Sequence, residues 1–252
     1  MKKVLIATEK PFAKTAVEGI SKIITEAGYE ILVLENYTEK SQLLEAVKEV
    51  NAIIIRSDKI DKEVIDAADN LEIVVRAGAG YDNVDCDAAS AKNIVVMNTP
   101  GQNSNAVGEL AIGLMLYAAR NNFNGSTGTE LRGKTLGLYA LGNTAKYLAK
   151  AALGLGMNVL AYAPSKDDAY LAAENVKRAA TPEELFSKSQ YVSLHIPLKP
   201  ETKECITYDL LSLMPKNGTL INTARKEVVN EDGLLKTFAA RKHFKYMSDI
   251  QP

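Results

Sequence analysis

The chain has 252 residues, of which 46% are hydrophobic and 24% charged, and its formal net charge is −1. This composition describes a soluble globular protein with one large or two modest domains, and it excludes a global basic field that would attract nucleic acid or an anionic membrane. Cys86 and Cys205 lie far apart without metal-ligand spacing, so neither a disulfide scaffold nor a cysteine metal site is expected, and a reducing cytoplasm is the natural compartment.

The opening MKKVLIATEK starts like a signal peptide, but its apolar run is short (4–7) and charge returns at Glu9 and Lys10, so it reads as a first strand. No stretch reaches the roughly 20 apolar residues that span a bilayer. Apolar runs of strand length follow at 31–34, 52–55, 73–75, 94–97, 136–140, 159–163, 191–196 and 219–222, with amphipathic segments between most of them. Strands alternating with helices predict βαβ units around a buried parallel sheet, hence an α/β fold. Val107, Leu110, Ala111, Leu114, Met115 and Ala118 form one helical stripe, with Asn103 and Ser104 suited to cap its start. A polar, Gly-rich run after Arg120 marks a connection, so the helix is expected to join two doubly wound lobes with a cleft between them. TPEELF (181–186) predicts a further helix start, with Thr181 as cap, Pro182 in first position and Glu184 in third.

The strand LGLYA (136–140) and the helix after it have the context of a dinucleotide-binding turn. Aligned to GxGxxG the turn reads Ala140-Leu141-Gly142-Asn143-Thr144-Ala145, and Gly142 alone survives to let a pyrophosphate approach the helix amino terminus. A left-handed backbone at Ala140 would cost about 1–2 kcal/mol. At the end of the next strand Ala163 stands where an acid normally grips the ribose of NAD, so NADP is not excluded. Ser165 and Lys166 are either receivers of its 2′-phosphate or a solvated loop. Arg225 follows the strand TLIN, and two readings stand for it: a bidentate anchor for a substrate carboxylate, or a surface arginine in an ion pair at the start of a helix. No His, Cys or carboxylate cluster has metal-ligand spacing, and no metal is expected.

The blocks RAGAGYDNVD (76–85), NTPGQNSNAVGELAIGLML (98–116), GKTLGLYALG (133–142), LHIPLKPET (194–202) and NTARKEVVNEDGL (222–234) together resemble the D-2-hydroxyacid dehydrogenase family. The resemblance implies two Rossmann-like lobes joined by the long helix, a substrate-binding lobe over 1–98 and an NAD(P)-binding lobe over 99–252. It implies hydride exchange between nicotinamide and C2 of a small 2-hydroxy acid. IIIRSDKI (53–60) and the Asn-Ser of PGQNS are most similar to members acting on 3-phosphoglycerate, in the first step of serine synthesis. Carried over by position, Arg225 would orient the substrate, and the amides of Gly78 and Ala79 would receive its carboxylate. Arg56, Ser57 and Asn103 would hold the phosphate, while Thr99, Gly142, Asn143, Thr144, His195, Thr223, Ala224 and Asp249 would line the cofactor. A homodimer through the long helix is also implied.

The family's catalytic glutamate and histidine lie beyond the strand that here reads SDI (248–250), and neither is present before Pro252. His195 and His243 are not expected to replace them as proton donor. These 252 residues are therefore expected to be the amino-terminal part of a longer protein, with the carboxyl-terminal part of the fold missing. Two alternatives remain: a non-catalytic dinucleotide-binding scaffold of the corepressor type, favoured by the eroded glycines, and a dehydrogenase for another 2-hydroxy acid.

Overall fold

The computed structural model describes residues 1–249. The chain divides into two compact units, one ending at Gln102 and the next beginning at Asn103, so Thr99 falls in the first and Asn103 in the second. Ile250, in the predicted strand SDI, lies outside the described residues, and the strand itself runs Lys245–Ser248.

The first unit runs β1 (Lys3–Thr8), α1 (Lys14–Glu26), β2 (Glu30–Glu35), α2 (Lys40–Ala46), β3 (Ala52–Ile55), α3 (Lys62–Ala67), β4 (Ile73–Arg76), α4 (Cys86–Ala91) and β5 (Val95–Asn98). Its five strands are all parallel in the order β2-β1-β3-β4-β5. The direction of travel reverses after β2, so right-handed crossovers leave α1 on one face and place α2, α3 and α4 on the other. The second face is a dry core in which Leu5, Ile53, Ile55 and Val74 meet Leu43, Val64, Ile65 and Ala89. The first face departs from the fully buried sheet that the apolar runs predict. Val33, Val95 and Met97 are 49%, 54% and 52% exposed, because the two-residue period of a strand sends them to the side opposite Val96, a face that α1 covers only in part.

The second unit runs α5 (Ser104–Ala119), β6 (Thr135–Tyr139), α6 (Asn143–Gly154), β7 (Asn158–Tyr162), α7 (Asp168–Ala173), β8 (Lys177–Arg178), α8 (Pro182–Lys188), β9 (Tyr191–Leu194), α9 (Tyr208–Leu213), β10 (Thr219–Asn222), α10 (Glu231–Ala240) and β11 (Lys245–Ser248). All six strands are parallel, in the order β11-β10-β9-β6-β7-β8. This sheet is covered on both faces. Leu136, Leu138, Val159, Ala161 and Ile221 pack with Met115 and Leu148 on one side, and Leu160, Val192, Leu194 and Leu220 with Phe186 and Leu211 on the other. A Cβ at Gly137, in the middle of β6, would sit 2.5 Å from Ser189 Oγ, so glycine there lets α8 approach the sheet.

Helix α5 corrects the predicted stripe. Gly108, Ala111, Met115 and Ala118 are buried while Leu110 is exposed, because α5 packs on α6 through its small residues. A Cβ at Gly108 would meet Tyr147 Cβ at 3.0 Å and Leu148 N at 3.2 Å. Neither expected cap acts as one. Asn103 occupies the cap position without a side-chain bond, and the buried Ser104 hydroxyl instead accepts a long 3.4 Å contact from Thr144 Oγ1. At α8 the prediction is met, with Glu184 N donating to Thr181 Oγ1 at 3.2 Å and Ala180 N to Glu184 Oε2 at 2.7 Å.

Candidate active site

In a doubly wound sheet, ligands bind beyond the carboxyl ends of the strands where the strand order reverses. In the first unit that point lies between β1 and β3, where the loop Arg56-Ser57-Asp58 begins. Asp58 is 3% exposed, and its carboxylate accepts from Glu9 N and Tyr37 Oη at 2.7 Å each and from Arg56 N at 3.3 Å. Its carbonyl accepts from Asn83 Nδ2 at 2.7 Å. The loop carrying Arg56 and Ser57 is thereby fixed to the ends of β1 and β2. Burial, and then Asp58, push the Tyr37 phenol upward and keep it a donor. Sequence reasoning passed over Asp58; the available signal was an acid three residues past a fully apolar strand, where a buried carboxylate needs donors.

Beside this loop, β4 ends in a tight turn. Gly78 N donates to Arg76 O at 2.8 Å, Thr99 N to Gly78 O at 2.9 Å and Asn98 Nδ2 to Ala79 O at 2.7 Å. A Cβ at Gly78 would fall 1.3 Å from Arg76 Nη1, so glycine is required for the Arg76 guanidinium to lie across the turn. Arg76 is a second cation at this edge that the sequence reading left without a role. A carboxylate received by the Gly78 amide would compete with the Arg76 carbonyl.

In the second unit the reversal lies between β6 and β9. Ala140 N continues the ladder to Tyr162 O at 2.9 Å, and Ala140 itself has φ +80. The left-handed position anticipated from the glycine pattern is therefore occupied by an alanine, with its steric cost. Gly142 caps α6 with φ −93 and ψ −168, a conformation open to any residue, and a Cβ there would meet nothing within 4 Å. What glycine preserves is open space over the first turn of α6, whose start has no side-chain cap. Its free amides, on Asn143, Thr144 and their neighbours, suit an anion such as a pyrophosphate.

His195 follows β9, and its amide donates to Tyr139 O at 3.0 Å. Its Nε2 is enclosed without a partner among the described residues, as is Thr223 Oγ1 just beyond β10. Burial pushes the His195 imidazole down to about 4, so it is neutral at ordinary pH. His243 sits in the turn before β11, at the opposite edge of the sheet. Buried Asn222 organises the turn after β10: its Nδ2 donates to Arg225 O at 2.9 Å and its Oδ1 accepts from Ala224 N at 3.0 Å. Arg225 is half-buried, with Nη1 donating to Ala224 O at 3.0 Å. Asn222 pairs with Ser248 in the ladder, which sets Asp249 alongside Thr223 at the same edge.

Ala163 is buried after β7, and its carbonyl accepts from Arg178 Nη1 at 3.3 Å. Arg178 Nη2 holds Lys166 O at 2.7 Å, and the Lys166 ammonium lies 4.6 Å from the centre of the Tyr170 ring. Ser165 and Lys166 thus belong to a turn braced by a further cation. Among the described residues no group of three His, Cys, Asp or Glu side chains is placed to hold a metal ion, and no helix is long and apolar enough to cross a membrane.

The open α6 terminus and the two unpartnered polar atoms at the edges of β9 and β10 fit a dinucleotide laid across the β6/β9 crevice. Residues 114–251 match the family model described as D-isomer specific 2-hydroxyacid dehydrogenase, NAD binding domain. A hydroxypyruvate reductase of Thermotoga maritima is 35% identical over 88% of this chain and 76% of its own length. A D-3-phosphoglycerate dehydrogenase of Methanocaldococcus jannaschii is 36% identical over 86% of this chain, which spans only 44% of that relative. Among solved structures, an NAD+-bound 3-phosphoglycerate dehydrogenase of Entamoeba histolytica superposes with a TM-score of 0.94 at 43% identity, covering 100% of this chain and 81% of its own. The nucleotide-binding unit is an NAD-binding domain. The chain belongs to the D-isomer specific 2-hydroxyacid dehydrogenase family of NAD-dependent oxidoreductases.

Proposed function

We propose that the protein oxidises 3-phosphoglycerate at C2 to 3-phosphohydroxypyruvate, as a homodimer in the cytoplasm. The observation that carries this reading is the Arg56-Ser57 loop, a cation and a hydroxyl at the switch point of the first sheet, with a backbone set by buried Asp58. A guanidinium and a hydroxyl are charge-assisted donors suited to a phosphate dianion. Asn103 is assigned to the same phosphate, and the amides of Gly78 and Ala79 to the carboxylate. Arg225, held by the Asn222 turn, orients the 2-oxygen and the carboxylate. When bound, NAD supplies the hydride acceptor. Thr99, Gly142, Asn143, Thr144, His195, Thr223, Ala224 and Asp249 are assigned to it, with His195 as a neutral hydrogen-bonding group. Neither His195 nor His243 is assigned the hydroxyl proton, the first because it is enclosed and neutral, the second because it lies at the wrong edge. Exposed Leu110, Leu116 and Tyr117 on α5 support a dimer through that helix.

A second reading, reduction of an unphosphorylated 2-oxo acid, is supported by the Thermotoga relative. The two separate in one experiment on the natural full-length protein: reduction of 3-phosphohydroxypyruvate and of hydroxypyruvate, each with NADH and with NADPH. The proposal expects preference for the phosphorylated substrate, and Arg56→Ala should lower its kcat/KM by about 10- to 100-fold while sparing hydroxypyruvate. Equal losses on both substrates would remove the phosphate role. Tight NADH binding without turnover of either would leave the corepressor-type scaffold.

A further inference from the structure

The amino edge of the six-stranded sheet, opposite the nucleotide crevice, carries a cavity of about 710 Å³. It opens among the first residues of β6, β9, β10 and β11 and the end of α5, all within the second unit. Lys134, Lys216, Lys242 and Lys245 line it together with His243, and among the described residues no aspartate or glutamate lines it. In a chain whose formal charge is −1, four lysines lining one cavity with no acid in its described lining is a local concentration that the composition does not require. We propose that this cavity is a second binding site, for a small phosphorylated metabolite, distinct from the NAD and substrate positions.

Three features make the cavity more than a loose set of surface lysines. Lys134 Nζ is aimed by a 2.8 Å bond to Thr129 Oγ1, and Lys245 Nζ by bonds to Ala118 O and Asn121 Oδ1. The two loops that carry Lys216 and Lys242 are tied by one side chain, since Arg241 donates through Nη1 to Leu211 O and through Nη2 to Met214 O and Pro215 O. Finally, burial first and the neighbouring Lys245 second hold Lys134 below its ordinary value, with Glu130 acting in the other direction. The repulsion within the cavity is thus incompletely compensated, and an anion would relieve it.

The donor chemistry selects the ligand class. The cavity is lined by lysines and by no arginine, so it offers point charges rather than the planar fork that matches a carboxylate. Its volume lies in the range of small-molecule sites and exceeds what a bare phosphate fills, which points to a phosphate carried on an organic body.

The test uses pyrophosphate as probe, titrated calorimetrically into the protein saturated with NADH. The proposal expects saturable binding that NADH does not displace, weakened about tenfold or more in the Lys216→Gln/Lys242→Gln double variant and in Lys134→Gln. The affinity for NADH should be unchanged in both. Lys216 and Lys242 are exposed, so the double variant keeps the fold and separates loss of charge from loss of structure. Displacement by NADH would assign the probe to the α6 terminus and overturn the proposal, as would unaltered affinity in both variants. Citrate binding as tightly as pyrophosphate would overturn the phosphate assignment.

Discussion

The switch points of the two parallel sheets treat their buried polar groups in opposite ways. At the switch point of the first unit, buried Asp58 gathers Glu9 N, Tyr37 Oη and Arg56 N, and this carboxylate is satisfied by the protein itself, although Glu35 Oε1 at the end of β2 is enclosed without a partner among the described residues. At the switch point of the second unit, His195 Nε2 and Thr223 Oγ1 are enclosed without partners among the described residues, and Ala140 is held at φ +80. Buried polar groups are ordinarily paired, so an exception is informative. The first edge is built to hold its loop in one conformation before a ligand arrives, and the second carries costs that a bound dinucleotide can offset. Stability should accordingly depend on NAD through the second unit, by the ratio of ligand to Kd.

The largest effect expected from breaking this contrast is at Asp58. Asp58→Ala leaves a phenol and two amides without their acceptor in a closed site, and should cost about 3 kcal/mol. Denaturant unfolding with hydrogen exchange mapped onto the first unit measures it, and added NADH should not restore that unit. A loss below about 0.5 kcal/mol would show that water replaces the carboxylate and that the edge is not self-contained.

His195 tests the second edge through pH. Its folded value is depressed to about 4 from an ordinary 6.5, so between these values the unfolded chain binds more protons than the folded one. Stability is therefore fully present above about pH 6.5 and is lost as pH falls toward 4, by up to about 3 kcal/mol. Part of the residue is still solvent-accessible, which makes that figure a ceiling. His195→Gln should flatten this segment of the stability profile, while Asp58→Ala should leave it in place.

Much of this contrast could be read from the chain and some of it could not. Alternating apolar runs gave both parallel sheets, and the βαβ spacing around Gly142 gave the strand β6, the turn and the helix α6, because strand length and turn chemistry are local properties. The burial of α5 was misjudged because Leu110 follows the same helical period as Ala111, and a helix pressed against α6 through Gly108 is favoured by small residues rather than large ones. For Asp58 the position of an acid past an apolar strand was legible, but its partners were not. Its three donors are Glu9, Tyr37 and Arg56, and two of these lie 49 and 21 residues away in sequence, so the staple exists only after β1, β2 and β3 have assembled. Arg76 was likewise hidden, since its closeness to Gly78 is a property of the folded turn.

Gly142 separates the fold from the ligand. A Cβ there meets no protein atom and the backbone tolerates one, so Gly142→Ala should leave the melting temperature of the unliganded protein nearly unchanged. The same methyl group occupies the space above the first turn of α6 and should weaken NADH by about tenfold. Equal affinity in the two proteins, measured by fluorescence titration, would place the pyrophosphate elsewhere.

Ala140 gives the smallest effect and the finest division between the two edges. Its left-handed backbone costs about 1 kcal/mol relative to glycine, and the entropy that glycine adds to the unfolded chain returns part of this. Ala140→Gly should therefore raise the melting temperature by about 1–3 °C. The accompanying change in NADH affinity decides where the strain is felt. If the unliganded turn already has the bound shape, relief of strain stabilises the free and liganded protein equally and Kd is unchanged. If binding draws the turn further into the left-handed region, the glycine variant binds several-fold more tightly, and the alanine is a restraint on cofactor affinity that the Asp58 edge has no counterpart for.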